Sequence, residues 1–386
     1  MRTCEHLLLA LAATLCGAVV WAQPALAAEL LVGAGKTDIT PARPVALCGQ
    51  FNTRISRGVE TPLVATAVAL ESRDGDKVLD QALMISCDLV MIQAATQEQL
   101  RQKLAPKLPQ LEMRKLFINA THTHTAPVQG RDAEWYDIPK EGVMQPAEYA
   151  EFLVEQLSNL AVQAWEARKP GGVSWTLGFA VVGRNRRAVY ADGTARMYGQ
   201  TDVPQFRGIE GYEDHGVDML FFWNGQRQLQ ALAANLVCPA QEVEHRMFVN
   251  ADFWHDVRER LGKEFSPELC VLSWPGAAGD QSPHLLWEKK AEERMRTQRG
   301  LTSTQEFGRR IANAVLDTRD IAAKDIRTGV LLRHEVQELK LPRRKITEKE
   351  YASAKAAFEN FDKKPNRTAV DRVFMSRERK VMERYE

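Results

Sequence analysis

The stretch MLFFWNGQRQLQALAANLV, residues 219–237, decides the fold class of this chain. Two apolar runs flank Asn224-Gly225, and this dipeptide between apolar runs is the strongest short-range signal for a β-hairpin. The sequence therefore predicts two antiparallel strands joined by a turn.

Further elements extend this reading in both directions along the chain. Three short apolar segments, residues 82–87, 115–118 and 269–272, are typical of buried strands. Tyr149, Leu153, Leu157 and Leu160 recur at helical spacing, and Pro170-Gly171-Gly172 is expected to end that helix. Two capping boxes, Ser303 with Glu306 and Thr347 with Glu350, mark later helix starts. We therefore expect an α/β fold with mixed β-sheets that contain antiparallel hairpins flanked by helices.

Composition narrows the class of protein. The chain has 386 residues, of which 45% are hydrophobic, and it holds 51 basic and 50 acidic residues for a formal net charge of +1. Such a balance offers no long-range field for nucleic acid. No repeat, linker or further transmembrane candidate follows the N-terminus, so we expect one principal domain over residues 29–386 with a charged, helical tail from about Trp287.

The N-terminus has the pattern of a secretory signal. Arg2 precedes an apolar run over residues 7–21, and Ala25-Leu26-Ala27-Ala28 offers a small-residue cleavage site before Glu29. The run is shorter than the roughly 20 residues that a membrane span needs. The sequence thus predicts export of residues 29–386, to the periplasm or the medium. Removal of Cys4 and Cys16 leaves four cysteines, too few for a disulfide scaffold.

The segment Asn119-Ala120-Thr121-His122-Thr123-His124-Thr125-Ala126-Pro127 follows one predicted strand. In an extended chain, residues two apart share a face with backbones roughly 7 Å apart. One histidine could therefore bind a metal while its neighbour faces a substrate. A pair of hydrogen-bonded surface histidines is the competing interpretation, because this spacing is common by chance.

A second segment, residues 274–283 (WPGAAGDQSP), is a loop of small residues that leaves a buried strand. Backbone can approach a ligand closely there, and we expect the Ser282 hydroxyl to be accessible. No Gly-x-Ser-x-Gly frame surrounds Ser282, so it is not the nucleophile elbow of α/β hydrolases. An ordinary turn is the alternative.

Taken in order, these segments resemble the N-terminal domain of the neutral/alkaline ceramidase family. The resemblance covers about residues 31–284. It comprises residues 32–41 (VGAGKTDITP), Gly49, Thr121-His122-Thr123-His124 with Pro127, Asn185-Arg186, and Gly279-Asp280-Gln281-Ser282-Pro283. The histidine and Gly-Asp-x-Ser-Pro segments are its specific parts.

The resemblance implies a role for each matched residue. It assigns His122 as a zinc ligand, His124 and Arg186 as residues that position substrate or act in catalysis, and Ser282 as the active-site serine. Gly49 and Asp280 are implied to bind substrate. Zinc would lower the pKa of bound water to roughly 7 and polarise an amide carbonyl. A structural ion pair is the alternative role for Arg186.

Two departures from the family pattern bear on the metal site. Cys238 stands before Pro239 where the family has its second histidine ligand, so His122 and Cys238 are the predicted zinc ligands; a buried cysteine without a metal is the alternative. His245 and His255, the latter on a helix beginning near Asp252, are spare candidates. The family's glutamate and tyrosine ligands have no counterpart after His284, which suggests that the C-terminal part of the family domain is missing.

We therefore expect an exported, zinc-dependent hydrolase that cleaves the N-acyl bond of a small molecule, of lipid or amino-sugar type. It would bind no nucleic acid and keep no transmembrane segment once the signal is removed. A binding protein that keeps the pocket without turnover is the alternative from another class. A metal-free serine hydrolase is a third possibility, with His284 as the nearby base.

Overall fold

The computed structural model describes residues 28–130 and 135–386 of the chain. The predicted signal, apart from Ala28, lies outside these residues. The described strands are β1 Glu29–Asp38, β2 Val64–Asp74, β3 Lys77–Cys87, β4 Leu116–Ala120, β5 Lys169–Phe179, β6 Arg184–Asn185, β7 Arg187–Tyr190, β8 Ala195–Met197, β9 Phe206–Ile209, β10 Gly216–Asn224, β11 Leu229–Leu236, β12 Cys270–Pro275 and β13 Gln281–Ser282. The described α-helices are α1 Ala94–Leu104, α2 Pro146–Glu166, α3 Phe253–Glu264, α4 Lys289–Gln298, α5 Ser303–Lys324, α6 Glu348–Asp362 and α7 Ala369–Tyr385.

Eight strands form one mixed sheet in the order β12-β11-β10-β5-β1-β2-β3-β4. The two outermost pairs, β11 with β12 and β3 with β4, are parallel, and the other pairs are antiparallel. The described residues also form two small antiparallel sheets, β13 with β6 and β8-β7-β9, of which β6 to β9 lie between β5 and β10 in the chain. The α/β class with mixed sheets, hairpins and flanking helices is confirmed.

The predicted hairpin is confirmed as β10 and β11, which pair from Val217 and Leu236 to Trp223 and Leu229. The turn is longer than a two-residue Asn-Gly turn. The side-chain oxygen of Asn224 accepts hydrogen bonds from the backbone N–H groups of Gln226 and Gln228, at 3.0 and 2.9 Å. Arg227, rather than Gly225, takes the left-handed conformation, with φ of 60°. The asparagine side chain thus closes the turn itself.

The sheet folds back on itself, so that its two halves pack face to face. Leu30, Val68 and Ala82 from one half share a buried cluster with Phe222 and Leu272 from the other. Polar contacts join the outer strands at this interface: Ser86 Oγ on β3 donates to the carbonyl of Ser273 on β12 at 2.8 Å, and Asn119 Nδ2 on β4 donates to the same carbonyl at 3.0 Å. The end of β12 therefore lies beside the end of β4.

Helices cover the two outer faces of the folded sheet. One apolar cluster joins α1 and α2 to strands β2, β3 and β4, and a second joins α3 and α5 to β10, β11 and β12. The predicted helical face is confirmed in α2, where Tyr149, Leu153, Leu157 and Leu160 are buried. The predicted stop at Pro170-Gly171-Gly172 is wrong. The helix ends at Glu166, and these residues lie in β5, where Gly171 and Gly172 admit close backbone neighbours.

One of the two predicted capping boxes is shifted by one residue. Helix α5 is capped by Thr302 with Gln305, not by Ser303 with Glu306. Glu306 is instead buried and forms ion pairs with Arg299, Arg309 and Arg310 at 3.2, 2.8 and 2.9 Å. The box of Thr347 with Glu350 at the start of α6 is confirmed. Both patterns fit the local sequence, and only packing decides which residue turns inward.

The charged tail from Trp287 forms α4 to α7, as the sequence predicts. Between α5 and α6 an extended segment crosses the folded sheet, where Val330 and Leu332 pack on the cluster between its two halves. Within residues 28–130 and 135–386, no helix has the length and apolar character to cross a membrane.

Gly33→Ala should destabilise the protein by about 1–3 kcal/mol through overpacking. A Cβ at Gly33 on β1 would lie 2.1 Å from the carbonyl oxygen of Ala164 on α2. Gly208→Ala on β9 is the matched control, because its Cβ would meet nothing within 4 Å. Urea unfolding of both variants measures the difference, and equal stabilities would contradict the close packing of α2 on β1.

Glu306→Gln should remove an acid-sensitive part of the stability. The hydrogen bond from Arg309, together with the charge of Arg310, outweighs burial and lowers the pKa of Glu306 to about 2. Because the folded pKa lies below the unfolded value, this stabilisation is present above about pH 4.3 and is lost as the pH falls toward 2. We expect the variant to lose about 3 kcal/mol at neutral pH and to show a flatter decline between pH 5 and 2. Glu293→Gln at an exposed position of α4 should stay within about 0.5 kcal/mol of the parent.

Candidate active site

Three segments that follow β4, β11 and β12 meet at one edge of the folded sheet. The backbone N–H of Ala240, after β11, donates to the carbonyl of Thr121, after β4, at 3.2 Å. Strand β13, after β12, pairs with β6 and brings Ser282 beside Arg184. The carboxyl ends of strands thus gather the polar segments that the sequence singled out.

His122 and His124 face one another, but they do not lie on an extended chain as predicted. His122 has a left-handed backbone with φ of 68°, so the chain bends sharply after β4. The two rings still come together, with centroids 4.9 Å apart and planes at 67°. Both side chains are half-buried. The bend at His122 therefore brings the two imidazole rings together, whereas the prediction attributed their proximity to an extended chain.

The ring of His122 is held in one tautomer. Its Nδ1 lies 2.8 Å from the carbonyl oxygen of Val90. Because a carbonyl only accepts, Nδ1 carries the proton and Nε2 is left with a lone pair. Burial, with His124 as a further cause, lowers the pKa of His122. His122 is therefore a neutral imidazole at pH 7, with one nitrogen able to take a proton or bind a metal.

His124 is paired with Glu244, a residue that sequence reasoning missed. The Nδ1 of His124 lies 2.9 Å from Oε2 of Glu244, whose Oε1 lies 3.6 Å from Nδ1 of His284. Burial alone would raise the pKa of Glu244, but its interactions with His124, His284 and Arg186 lower it overall. Glu244 is thus a carboxylate at neutral pH that orients two imidazoles.

A second glutamate lies on the other side of His284. The Nε2 of His284 is 3.8 Å from a carboxylate oxygen of Glu242 and 3.3 Å from its backbone carbonyl. Burial raises the pKa of Glu242 to about 7. A cavity of about 400 Å³ adjoins this pair and is lined in part by Val182, Pro283 and Phe307. His284 and Glu242 thus line a cavity with apolar and charged walls, whereas His122, His124 and Ser282 are not among its lining residues.

Ser282 is fully buried, so the expectation of an accessible hydroxyl is wrong. Its Oγ accepts two hydrogen bonds, from the Tyr198 hydroxyl and from the backbone N–H of His284, both at 3.1 Å. Burial and pairing with β6 come from the turn of the chain after Gly279, which the small residues permit. The ring of His284 faces the two glutamates rather than Ser282, so it is not placed as a base for this hydroxyl.

Arg186 reaches the serine through Tyr198. Its Nη1 donates to the Tyr198 hydroxyl at 3.2 Å, and its Nη2 donates to the carbonyl of Gly279 at 2.8 Å. Tyr198 has a left-handed backbone with φ of 53° and is 38% exposed. A row of donors therefore leads from the surface to Ser282. Among the described residues, no carboxylate contacts Arg186 along this row. The alternative role of Arg186, a structural ion pair, therefore has no acidic partner there.

The two residues assigned to substrate binding have different surroundings. Gly49 has φ of 101° and contacts His124, where a Cβ would lie 2.4 Å from Cγ of the ring. Asp280 accepts a hydrogen bond from Asn185 Nδ2 at 2.9 Å, and its carbonyl accepts from the N–H of Arg186 at 2.9 Å. Gly49 thus makes room for the histidine, while Asp280 fixes the backbone that carries Arg186.

Cys238, the second predicted zinc ligand, is enclosed in the apolar core. It is fully buried among apolar residues of the core between β11 and α3, and its Sγ lies 3.5 Å from the carbonyl of Pro239. Burial, with Asp252 and Glu242 as further causes, raises the pKa of this thiol well above its usual value. A neutral thiol in such surroundings fits the alternative of a cysteine without a metal.

The implied zinc ion does not fit the described residues. A catalytic zinc takes three protein ligands in tetrahedral geometry. In residues 28–130 and 135–386 no three side chains of His, Cys, Asp or Glu are grouped so that they could hold a metal ion. His122 keeps a free Nε2, whereas Cys238 is enclosed. Of the spare candidates, His245 is exposed and His255 lies on α3, whose start at Asp252 is confirmed.

The residues that sequence reasoning missed are Glu242, Glu244 and Tyr198. A signal for the glutamates existed, because Gln241-Glu242-Val243-Glu244 follows β11 just as the histidine segment follows β4. Polar residues after the end of a second strand at the same edge are candidates for the same site. Tyr198 carries no such signal, because only the small sheet β8-β7-β9 brings it to Ser282.

Comparison with solved structures identifies the fold. The neutral ceramidase from Pseudomonas aeruginosa matches with a TM-score of 0.60 and 17% sequence identity, over 78% of this chain and 46% of that chain. A ceramidase complexed with C2 matches with a TM-score of 0.59 and 18% identity, over 78% and 45%. No family model and no curated protein sequence matches. The chain has a divergent neutral ceramidase-like fold and spans less than half the length of these two proteins.

Cys238→Ser should leave the zinc content of the purified chain unchanged and lower its stability by about 1–3 kcal/mol, because a more polar group is buried. Cys270→Ser is the matched control, since Cys270 is also buried but lies at the start of β12. Plasma mass spectrometry and urea unfolding give the two readouts. A zinc content near one per chain that falls only in Cys238→Ser would restore the predicted ligand pair.

Gly49→Ala should displace His124 and cost about 1–3 kcal/mol more than Gly142→Ala. Both glycines have positive φ, so backbone strain is matched, but a Cβ at Gly142 would meet nothing within 4 Å. Thermal or urea unfolding compares the two. If both variants lose the same free energy of unfolding, His124 can be displaced without an energetic cost, which would contradict the prediction.

Proposed function

We propose that this chain is an exported hydrolase that cleaves an N-acyl amide bond at the edge where β4, β11 and β12 end. The observation that carries the proposal is the pairing of two histidines, one beside Glu244, which is linked through His284 to a row formed by Arg186, Tyr198 and Ser282. Such a site can remove a proton from a nucleophile and stabilise negative charge on an oxygen. The neutral ceramidase-like fold supports the same class of reaction.

The histidines are suited to proton transfer. Glu244 Oε2 lies 2.9 Å from Nδ1 of His124, and His122 keeps the lone pair of Nε2 in a neutral ring. A water molecule that attacks the amide carbonyl can give a proton to one of these nitrogens. That proton then passes to the amine nitrogen as the C–N bond breaks, which releases a carboxylic acid and an amine. General acid-base catalysis of this kind contributes about 10²–10⁴-fold to a rate.

Arg186 is the group of this row that suits a developing oxyanion, because its guanidinium combines N–H donors with a positive charge. The Tyr198 hydroxyl donates its proton to the buried Ser282 Oγ, which also accepts from the backbone N–H of His284, so these two residues hold the row in place. We assign Ser282, His124 and Arg186 to the catalytic machinery, with Gly49 and Asp280 shaping the place where substrate binds.

The cavity that His284 and Glu242 line supports a substrate class. Its walls include Val182, Leu285 and Phe307 on the apolar side and Arg184, Arg296 and Arg310 on the charged side. An N-acyl compound with an apolar chain and a polar head matches these walls, as in an acylated amino alcohol or amino sugar. The zinc dependence implied by the sequence resemblance is left out of the mechanism, since the described residues offer His122 without further ligands.

A binding protein without turnover is the second candidate. Two observations favour it: the described residues form no three-ligand metal site, and Ser282 is buried with no ring nitrogen in contact. Under this alternative the cavity would hold an N-acyl ligand tightly and release it unchanged.

Glu244→Gln and His124→Gln should each lower kcat/KM for N-acyl hydrolysis by about 10²–10⁴-fold, because the base loses its partner or is removed. Ser282→Ala and Arg186→Met should lower it as well. His255→Gln on α3 is the matched control and should keep the parent activity. Release of free amine from a panel of N-acyl amino alcohols and amino sugars is the assay, with titration calorimetry for binding. Tight binding with no amine released by the parent chain would establish the binding protein instead.

A further inference from the structure

One arginine beneath the candidate active site has an unusual set of partners. Arg54 is only 2% exposed, and its guanidinium donates to four backbone carbonyls. Nη2 donates to Cys48 and His124 at 2.8 and 2.6 Å, and Nη1 donates to Glu244 and Arg246 at 2.6 and 2.9 Å. No carboxylate is among these four acceptors. The charge is therefore balanced by carbonyl dipoles from separate segments.

These segments are the ones that carry the candidate active site. Cys48 precedes Gly49, the glycine against which His124 packs. His124 and Glu244 are the two partners of the 2.9 Å contact, and Arg54 binds the backbone carbonyl of both. A single planar group thus sets the separation between the main chains of a histidine and the glutamate that orients it.

The chemistry of the guanidinium suits this task. Its donors lie in one rigid plane, so one side chain can bind four acceptors at fixed distances, which a lysine ammonium with three rotatable donors cannot do. Burial lowers the pKa of Arg54, while the nearby Glu244 carboxylate favours its charged form. Without the guanidinium, four buried carbonyls would lose a partner, and the side-chain link that joins the three segments next to His124 and Glu244 would be removed.

We propose that Arg54 is a positioning residue that holds the His124 and Glu244 backbones in register, so that the imidazole and the carboxylate stay in contact. The inference deepens the proposed function, because it names the group that aligns the histidine with its partner. It is distinct from catalysis itself, since the side chain faces backbone rather than the cavity.

The test reads the His124 ring directly and needs no substrate. The chain is labelled with ¹⁵N in its eight histidines, and the His124 Nδ1 signal is assigned by its loss in His124→Gln. In Arg54→Ala we expect this signal to move away from its Glu244-bound position. Added guanidinium, well below the molar range that unfolds proteins, should restore it by filling the space. Arg168→Ala is the matched control, because Arg168 is also largely buried but pairs with Glu71 on β2.

The outcomes separate the positioning role from the catalytic one. A folded Arg54→Ala whose His124 signal is unchanged overturns the inference, as does an equal shift in Arg168→Ala. If Arg54→Ala does not fold, Arg54→Lys takes its place. If neither Arg54 variant folds while Arg168→Ala does, Arg54 is a folding determinant, and this outcome also overturns the positioning role. If the parent chain cleaves no N-acyl compound but the signal depends on Arg54, the proposed function fails and the positioning role stands. With an active parent, kcat should fall more than KM changes in Arg54→Ala and recover with guanidinium.

Discussion

The packing of the two halves of the eight-stranded sheet against each other is the constraint on which the rest of the structure depends. Ser86 and Asn119 bind the carbonyl of Ser273 across this interface, and the apolar cluster between the halves excludes water from it. Buried hydrogen bonds of this kind fix register as well as distance, because an unpaired polar group there would be costly. Strands far apart in the sheet order, β4 and β12, thereby end side by side.

The candidate active site follows from that arrangement. Segments that leave β4, β11 and β12 have little secondary structure, so their conformations are held by specific polar contacts: the bend at His122, the glycine contact under His124, and the guanidinium of Arg54. As a result, the ionisable groups of the cluster differ in their protonation states. Glu244 stays ionised beside His124, whereas burial holds His122 neutral and raises the pKa of Glu242. Groups in different protonation states within one cluster are what proton transfer requires.

The chain shares the neutral ceramidase-like architecture, but its described residues do not supply the metal ligands that the sequence resemblance implies. The described residues align with less than half of the two ceramidase structures, at 17% and 18% identity. Glu244 lies 2.9 Å from His124 of the histidine segment and 3.6 Å from His284, which follows the serine segment, while the position expected to hold a second metal ligand carries a cysteine enclosed in apolar core. A fold constrains where a site can form, and the side chains at that site decide which reaction it supports.

The sequence alone determined the α/β class, the β10-β11 hairpin, the strands β3, β4 and β12, the apolar face of α2 and the polar segments that contain His122, His124 and Ser282, although β4, with Phe117 48% exposed, is less buried than predicted. These are consequences of local periodicity and turn chemistry, which act between residues near in the chain. Only the tertiary structure decided which capping residue α5 uses, that Pro170-Gly171-Gly172 continues into a strand, that Ser282 is buried, and that Glu244, Tyr198 and Arg54 belong to the site. Apart from the cap of α5, these depend on contacts between residues distant in the sequence, such as Arg54 with His124, 70 positions apart, Tyr198 with Ser282, 84 apart, and Arg54 with Glu244, 190 apart, for which no local pattern exists.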